Sequence, residues 1–161
     1  MNEQELIRSF YAAFQRRDWK GMQECYHDQV TFSDPVFTHL EGPAAKAMWH
    51  MLTTSARSLD ISFSEVVADA QRGSCSWEAR YPFSRTGRLV HNKIRASFEF
   101  RDGKIIRHTD LFDLARWAGM AFGLPGKLLG WTPWMHSKIR STAASSLLKF
   151  IGQHPEYAAS K

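Results

Sequence analysis

This chain has few cysteines, no long apolar run and no dense stretch of positive charge. Its two cysteines, Cys25 and Cys75, match no metal-binding spacing and are too few for a disulfide framework. No uninterrupted apolar segment approaches the ~20 residues that a membrane-spanning helix needs. The opening sequence MNEQELIRSF has no basic segment followed by an apolar stretch, so we expect no secretory signal. These absences predict a cytoplasmic protein with both thiols reduced.

The charge balance invites a nucleic-acid interpretation, because the formal net charge is +5 and the pI is near 9.4. The 21 basic residues are spread along the chain, however. They form neither a Lys/Arg tract nor a pattern of basic residues interleaved with aromatics. We therefore expect a solvated basic surface and no nucleic-acid partner. A chain of 161 residues with 43% apolar residues is large enough for one domain with a substantial core.

The first third of the chain has the periodicity of helices. Residues 3–16 repeat apolar side chains every three to four positions, and Asn2 begins a capping-box pattern in front of them. Asp18 is typical of the cap of a short second helix, with Tyr26 on its apolar side. Pro43 suits the first turn of a third helix. We therefore predict three helices before residue 60.

From residue 61 the apolar period changes to two, which indicates strands. Four successive strands are predicted in the segments ISFSEVVA, SCSWEARYPF, RLVHNKIRASFEF and GKIIRHTDLF. Asp102 and Gly103 form a strong hairpin signal, and connections this short join antiparallel neighbours. The alternation is clearest in residues 90–101, where one side is apolar and the other is charged. One face of the sheet is therefore packed and the other is solvated.

The end of the chain is predicted to be helical again. Asp113 is typical of an N-cap for a helix to about residue 122. The glycine-rich stretch GLPGKLLGWTP is predicted to be a connection, and residues 134–151 form a last amphipathic helix. We treat residues 1–161 as a single domain and residues 123–161 as its C-terminal helical extension.

The role of this extension is open between three alternatives. Our preferred interpretation is that it completes the core or a dimer interface. It could instead cover the mouth of a cavity. The third alternative, which we do not expect, is contact with a membrane through an aromatic and basic group made up of Trp131, Trp134, Lys138 and Arg140.

Several polar residues fall on the inward rows of the predicted strands. Asp34 continues the row of Val30 and Phe32, and His108 shares a side with Asp110. A buried carboxylate is costly unless it is paired, shifted in pKa or placed at a wetted pocket. We therefore predict Asp110, Asp34 and His108 as catalytic acid/base residues.

Each of these residues also has a structural explanation. Asp34 could simply end its strand in an Asx-Pro turn. His108 could be a satisfied interior histidine, and Asp110 could bond to it or to buried backbone. Asn92 on the neighbouring inward row is a candidate for orienting a substrate. The remaining predicted substrate-binding residues are aromatic, and most of them also serve the core: Phe10, Phe14, Trp49, Trp77, Tyr81, Phe98 and Phe112. The spacing of the carboxylates and histidine does not require a metal, and we predict none.

Particular segments resemble known proteins of the nuclear transport factor 2-like superfamily. LIRSFYAAFQRRDWKGMQECYHDQVTFSDPVF is similar to the opening of bacterial ketosteroid isomerases, including the DPV that carries their catalytic base. GRLVHNKIRASFEF and GKIIRHTDLFD resemble the last two strands of those enzymes. The resemblance covers about residues 5–122. It implies an α+β cone, with a curved antiparallel sheet wrapped over the N-terminal helices and extra helices at the C-terminus.

The resemblance to the isomerases is incomplete at their active site. It places the general base on Asp34, but the oxyanion-donating tyrosine falls on Phe10 and the protonated aspartic acid on Ala96. Removal of one oxyanion donor typically costs ~10²–10³ in rate, and here both are replaced. Ordinary ketosteroid isomerase activity is therefore not expected.

The sequence RHTDLFD is more similar to the corresponding strand of SnoaL-type polyketide cyclases and limonene-epoxide-hydrolase-like proteins. In those relatives an aspartate on this strand acts in acid/base chemistry, and the match falls on Asp110. The resemblance implies a cofactor-independent enzyme of isomerase, cyclase or hydratase/hydrolase type that acts on a small apolar carbonyl or ring compound. It also implies a homodimer formed by the outer face of the sheet, where Ile105, Thr109 and Leu111 are expected. The alternative is a binding module without turnover, for an apolar small molecule or a protein partner.

Overall fold

The computed structural model describes residues 1–158, which form six helices and one six-stranded sheet. The last three residues of the predicted C-terminal extension lie outside the described residues. A short 3₁₀ turn, Pro155–Tyr157, follows the last helix. The helices are α1 (Glu3–Gln15), α2 (Trp19–Glu24), α3 (Pro43–Ser55), α4 (Leu114–Phe122), α5 (Leu124–Leu129) and α6 (Pro133–Gln153). The strands are β1 (Tyr26–Ser33), β2 (Leu40–Glu41), β3 (Asp60–Ala68), β4 (Arg72–Pro82), β5 (Leu89–Arg101) and β6 (Lys104–Leu111).

The first two helices begin where the sequence predicts. The Asn2 side chain accepts a hydrogen bond from Glu5 N at 2.9 Å, and Asn2 N donates to the Glu5 carboxylate at 2.9 Å, which completes the capping box. The Asp18 side chain caps α2, because its Oδ1 accepts a hydrogen bond at 2.9 Å from the backbone N–H three residues ahead. The assignment of Tyr26 to α2 was wrong. Tyr26 is the first residue of β1, because its backbone pairs with Ile105 of β6.

The six strands lie in the order β2-β1-β6-β5-β4-β3. All neighbours are antiparallel except β1 and β6, which run parallel, so the curved sheet is mixed. The Asp102-Gly103 hairpin signal is confirmed, because both residues have positive φ angles of 53° and 71°. That combination is typical of the primed turns that join tightly paired strands. An α+β fold with a curved sheet against the N-terminal helices is therefore confirmed.

A β-bulge in β6 changes which residues face inward. The pairing with β5 shifts between Glu99 and Phe100, so that Ile105 and not Ile106 lies opposite Phe100. The prediction that Ile105 lies on the outer face was wrong, because the unpaired extra residue, Ile106, shifts the alternation and turns the Ile105 side chain into the core, where it is fully buried. Beyond the bulge the predicted alternation holds, with His108 and Asp110 inward and Leu111 outward.

The C-terminal helices pack against the rest of the molecule. Leu147 of α6 belongs to the main core cluster under the sheet, together with α1 and α3. A second cluster joins Val90 of β5 to apolar residues of α4 and α6, among them Trp117 and Ile139. The stretch predicted as a connection contains α5. Its Gly126 comes so close to α4 that an added Cβ would lie 1.9 Å from the Ala118 oxygen.

The outer face of the sheet keeps mixed charges, and Leu111 on it is exposed. The predicted homodimer through this face stays a prediction. Within residues 1–158, no helix combines the length and the apolar character that crossing a bilayer requires.

Candidate active site

The centre of the candidate site is a buried pair on β6. His108 Nε2 lies 2.9 Å from Asp110 Oδ1, and Trp77 Nε1 of β4 donates to the same oxygen at 3.2 Å. His108 is fully buried and Asp110 is 2% exposed. The alternation of β6 aims both side chains at the interior, as the sequence predicts. The structure thus brings together two of the three predicted catalytic residues.

The hydrogen bonds continue on the other side of the imidazole ring. Tyr26 O–H lies 2.7 Å from His108 Nδ1, and Trp49 Nε1 donates to the Tyr26 oxygen at 2.8 Å. Burial raises the pKa of Tyr26 well above 10, so its hydroxyl keeps its proton. A neutral imidazole that accepts from Tyr26 at Nδ1 and donates to Asp110 from Nε2 satisfies every one of these groups. The result is a relay from Trp49 through Tyr26 and His108 to Asp110.

Aromatic rings enclose the imidazole of His108. Phe98 lies 4.5 Å away between ring centroids, Phe32 5.1 Å and Phe10 5.5 Å, and Trp49 stacks nearly parallel to it at 5.9 Å. All four rings are 2% exposed or less. Such packing holds the His108 ring in one orientation and keeps bulk water from it.

Asp34 lies just beyond the end of β1 and is less deeply buried than Asp110. Its Oδ1 accepts hydrogen bonds from Val36 N at 2.7 Å and Phe37 N at 2.6 Å, so the predicted Asx-Pro turn is present. Burial raises the pKa of Asp34 to about 7; the Phe37 N–H opposes the rise, and the charge of Asp110 adds to it. Asp34 therefore combines a backbone turn with a raised pKa, because its Oδ1 is bonded to backbone while its Oδ2 accepts no bond from residues 1–158.

Two further polar groups carry no hydrogen bond to another side chain, and the role of Asn92 in orienting a substrate stays a prediction. The Asn92 side chain is 7% exposed, and its amide makes no hydrogen bond to any residue in the range 1–158. The Oδ2 atom of Asp110 likewise accepts no bond from that part of the chain, since Trp77 and His108 both use Oδ1. Asn92 lies on β5, where it is the direct pairing partner of Ala79 on β4. The amide can donate and accept hydrogen bonds, and the carboxylate oxygen can accept them.

The seven predicted substrate-binding aromatics divide into two groups. Phe10, Phe14, Trp49 and Phe98 are each 3% exposed or less, Trp77 is 7% exposed, and all five belong to the main core cluster. Tyr81 and Phe112 lie nearer the surface and are partly exposed. The role of all seven in binding a substrate stays a prediction.

Tyr81 links the site to a surface groove. The groove has a volume of about 440 Å³ and is lined by Leu59, Tyr81, Val90 and Met120 among others. Burial raises the pKa of Tyr81, a hydrogen bond from Trp117 Nε1 at 2.8 Å opposes the rise, and the carboxylate of Asp34 adds to it. Tyr81 is therefore shared between the wall of the groove and the surroundings of Asp34.

The two isomerase donor positions are apolar, as the resemblance implies. Phe10 and Ala96 are fully buried and carry no donor. Ala96 of β5 is, however, the direct pairing partner of Asp110 on β6. The Asp110 carboxyl group thus lies at the same level of the sheet as the position of the isomerases' protonated aspartic acid, but one strand away from it.

Two tyrosines of this site were not predicted to belong to it. Tyr26 was placed on a helix, and its role depends on pairing between strands that lie 82 residues apart. Tyr11 is fully buried, and its hydroxyl has no hydrogen-bond partner within residues 1–158. Burial raises the pKa of Tyr11 well above 10, and Asp110 and Cys75 are close enough to raise it further. The apolar stripe of α1 contained Tyr11, but nothing in that stripe marked its hydroxyl.

Metal and thiol chemistry have little support in these residues. Within the described part of the chain, no three His, Cys, Asp or Glu side chains are grouped so that they could hold a metal ion. Cys25 and Cys75 are buried free thiols, and burial raises the pKa of Cys75 to about 12. A protonated buried thiol is a poor nucleophile.

A comparison with protein families decides the family. The profile of the SnoaL-like domain family matches residues 7–108, which is more than half of the chain. The chain belongs to the SnoaL-like domain family. The match ends two residues before Asp110, so α4, α5 and α6 of this SnoaL-like protein lie outside it. Among curated proteins, none matches the sequence significantly.

Several solved structures have the same fold as this SnoaL-like domain. A nuclear transport factor 2-like protein of unknown function from Burkholderia pseudomallei K96243 is 19% identical, with a TM-score of 0.64, over 75% of this chain and 98% of that one. A proposed polyketide cyclase from Xanthomonas campestris pv. campestris is 22% identical, with a TM-score of 0.61, over 73% and 94%. A protein with a ketosteroid isomerase-like fold from Catenulispora acidiphila DSM 44928, in complex with trimethylamine, is 14% identical, with a TM-score of 0.65, over 80% and 98%. At these identities the likeness shows the fold.

Proposed function

We propose that this SnoaL-like protein is a cofactor-independent acid/base enzyme of the isomerase or cyclase type, and that it acts on a small apolar carbonyl compound. The observation that carries the proposal is the geometry of the Asp34 carboxyl group: backbone N–H groups hold its Oδ1, while Oδ2 accepts no bond from residues 1–158. Burial also raises its pKa to about 7. A general acid or base is most effective when its pKa lies near the working pH. The charge of the nearby Asp110 adds to this rise in the pKa of Asp34.

The proposed first step is removal of a proton from the carbon next to the substrate carbonyl. Asp34 Oδ2 takes this proton, and the electron pair of the C–H bond moves into the C–C bond while the carbonyl oxygen gains the negative charge. The unpartnered Asn92 amide is suited to donate a hydrogen bond to this oxygen. In an isomerisation, Asp34 then returns the proton to a different carbon. In an aldol-type cyclisation, the carbanion carbon instead attacks a second carbonyl of the same molecule and forms a C–C bond, and the oxygen of that carbonyl takes the proton back from Asp34.

The buried pair has a supporting role in this mechanism. The sequence favoured Asp110 as the group that moves the proton, but Asp110 is 2% exposed and accepts two hydrogen bonds. Asp34 is the more accessible of the two carboxyl groups. We therefore assign proton transfer to Asp34 and a positioning role to His108 and Asp110. The presence of proposed polyketide cyclases with this fold agrees with the reaction class.

The test is proton exchange at carbon, which does not require the natural substrate. A panel of apolar cyclic ketones, led by the bicyclic 2-tetralone, is incubated with the protein in D₂O. Loss of the proton signals next to the carbonyl is followed by NMR. We expect exchange above the buffer rate, increasing as the pH rises through about 7, because Asp34 must lose its proton to act as a base.

Matched variants separate the roles of the two carboxyl groups. Asp34→Asn should abolish the exchange, and Asp110→Asn should reduce it. Asp69→Asn, in an exposed turn with the same hydrogen bonds as that of Asp34, should leave it unchanged. Exchange that survives Asp34→Asn, or a panel with no exchange above buffer, would contradict the proposed chemistry.

The packed interior favours a second candidate, a binding protein without turnover. His108 is fully buried among aromatic rings, as expected if the relay serves stability alone. This candidate predicts that apolar ring compounds raise the melting temperature by occupying the groove beside Tyr81, while no proton exchange occurs. The same ketone panel therefore distinguishes the two functions.

A further inference from the structure

The positive charge of this protein is concentrated in one segment. Residues 114–155 contain no Asp or Glu, whereas the rest of the chain has sixteen acidic and sixteen basic residues. The whole formal net charge of +5 therefore belongs to this segment. None of its basic residues forms a salt bridge within the described residues: Arg116, Lys127, Lys138, Arg140 and Lys149.

Large apolar side chains are exposed in the same segment. Trp131 is 70% exposed and Trp134 is 59% exposed, and both lie where α5 is joined to α6. Leu124 and Leu128 lie one helical turn apart on α5 and are 67% and 63% exposed. The Trp131 indole N–H donates to the Leu128 carbonyl at 3.0 Å, which holds that ring beside α5. Leu129 is 42% exposed as well, and although single exposed apolar residues are common, five within eleven residues are not.

The exposed face of α6 continues this pattern. At about 100° per residue, Trp134, Lys138, Ser141, Ser145 and Lys149 lie on one side of the helix, and the buried Met135, Ile139 and Leu147 lie away from it. Lys138 Nζ lies 5.2 Å from the centroid of the Trp134 ring. A shallow depression of about 360 Å³ lies along the same face, between Lys149 and Arg85. We call the whole area the basic aromatic surface, defined by Leu124, Lys127, Leu128, Trp131, Trp134, Lys138 and Lys149.

We propose that the basic aromatic surface binds peripherally to an anionic lipid bilayer. Tryptophan favours the boundary between headgroups and acyl chains, since its ring is apolar and its N–H is polar. Leucine side chains can enter the acyl region to a shallow depth, while lysines remain among the phosphates. The segment lacks the acidic residues that anionic headgroups would repel, and each basic residue near such a surface strengthens binding by roughly fivefold. This inference replaces our expectation from the sequence that the C-terminal extension makes no membrane contact, and it does not depend on the proposed enzymatic function.

The charge distribution decides between a bilayer and a second copy of this chain. Two copies that met through this surface would bring two segments of charge +5 together, and repulsion would oppose the contact. A nucleic acid would satisfy the lysines, but it would leave the two leucines of α5 without an apolar partner. Anionic lipid supplies both the negative charge and the apolar phase.

The test uses the full-length protein and vesicles of defined composition. Co-sedimentation is measured with vesicles of phosphatidylcholine alone and with vesicles that contain 30% phosphatidylglycerol. We expect binding at least tenfold stronger with phosphatidylglycerol, weakened by 0.5 M NaCl because salt screens the attraction. Brominated acyl chains should quench part of the tryptophan fluorescence, since Trp131 and Trp134 enter the bilayer.

Paired variants tie the binding to this surface. Trp131→Ala with Trp134→Ala, and Lys127→Glu with Lys138→Glu, should each weaken binding at least tenfold. The controls are Leu89→Ala with Leu111→Ala, and Lys93→Glu with Arg101→Glu, which change exposed residues elsewhere and should bind as the parent protein does. Circular dichroism verifies that each variant is folded.

Three outcomes would overturn the proposal. The first is no vesicle binding at either composition, and the second is equal loss in the surface and control variants. The third is a dimer in sedimentation velocity that disappears in Trp131→Ala with Trp134→Ala, because a second copy would then cover the surface.

Discussion

Asp34 and Asp69 each accept hydrogen bonds at Oδ1 from the backbone N–H groups two and three residues ahead. Each also donates its own N–H, at 2.9 Å, to the carbonyl three residues on. The exposed Asp69 has its pKa lowered by these backbone N–H groups, while burial raises the pKa of Asp34 to about 7. Because the local turns are alike, the difference in pKa between the two carboxyl groups comes from burial. A turn signal in the sequence therefore predicts the backbone at Asp34 but not its titration.

The raised pKa of Asp34 makes stability depend on pH. The unfolded chain releases the proton near the ordinary value of 3.8, but the folded protein holds it to about 7, so stability falls as the pH rises between these values. Asp34→Asn keeps both backbone hydrogen bonds and removes a penalty of up to about 4 kcal/mol above pH 7. Urea unfolding from pH 4 to pH 8 should therefore show a gain in stability that grows with pH.

Asp69→Asn is the matched control for this measurement. Its folded pKa is lowered, so the wild-type carboxylate stabilises the fold above about pH 4 and loses this effect as the pH falls. The variant should consequently be less stable than the parent at pH 8 and similar to it at low pH. A gain from Asp34→Asn that is the same at every pH would contradict the assignment of the shift to burial.

The two buried tyrosines differ in what their hydroxyl groups bond. Tyr26→Phe leaves Trp49 Nε1 and His108 Nδ1 without a partner, and we expect a loss of about 2–4 kcal/mol in the free energy of unfolding. Tyr11→Phe removes a hydroxyl that has no partner within residues 1–158, so it should be neutral or stabilising by about 1 kcal/mol. Urea unfolding at pH 7 measures both. Equal losses would mean that the relay contributes nothing beyond packing.

At the scale of the helices and strands, local signals predicted most of the order. The capping box at Asn2, the change of period near residue 61 and the Asp102-Gly103 turn all depend on neighbours in sequence, and the structure confirms them. The two-residue β2 is too short to produce a period. The bulge that buries Ile105 depends on pairing with β5, so no pattern within β6 could reveal it.

The candidate site shows the same limit. The inward positions of His108 and Asp110 follow from alternation along one strand. The bonds of Tyr26 and Trp77 join β1 and β4 to β6, and the bond from Trp49 joins α3 to β1. Such contacts between distant segments leave no mark in a single sequence. Trp49 was predicted as part of a ligand-binding wall, and its indole also serves as a donor to the relay.

The glycine-rich stretch that contains α5 was predicted to be a connection, but there glycine permits close packing between helices. An added Cβ at Gly126 would lie 1.9 Å from the Ala118 oxygen of α4. Gly126→Ala should force α4 and α5 apart and cost about 1–3 kcal/mol. Gly152→Ala, which meets nothing within 4 Å on α6, should be neutral or stabilising by up to about 1 kcal/mol. Urea unfolding distinguishes them, and similar effects at both positions would contradict the close approach.

Across the whole molecule, the C-terminal helices connect the two core clusters. Leu147, Phe150 and Ile151 of α6 pack on the main core, and Met135 and Ile139 of the same helix pack on α4. The Tyr157 hydroxyl accepts from Gln23 Nε2 at 2.8 Å and lies 2.9 Å from His50 Nδ1. The part of the chain beyond the family match is thus tied to α2 and α3 as well as to the sheet.

This arrangement predicts that the protein unfolds in one step. Because α6 belongs to both clusters, neither can lose its packing without uncovering the other. We expect coincident urea transitions by far-ultraviolet circular dichroism and tryptophan fluorescence. A chain cut after Phe122 keeps residues 7–108 but uncovers apolar groups on β5 and α3, so it should bind the dye ANS and lose the cooperative transition. A truncated chain with the midpoint of the full-length protein would instead make residues 123–158 an accessory to an independent domain.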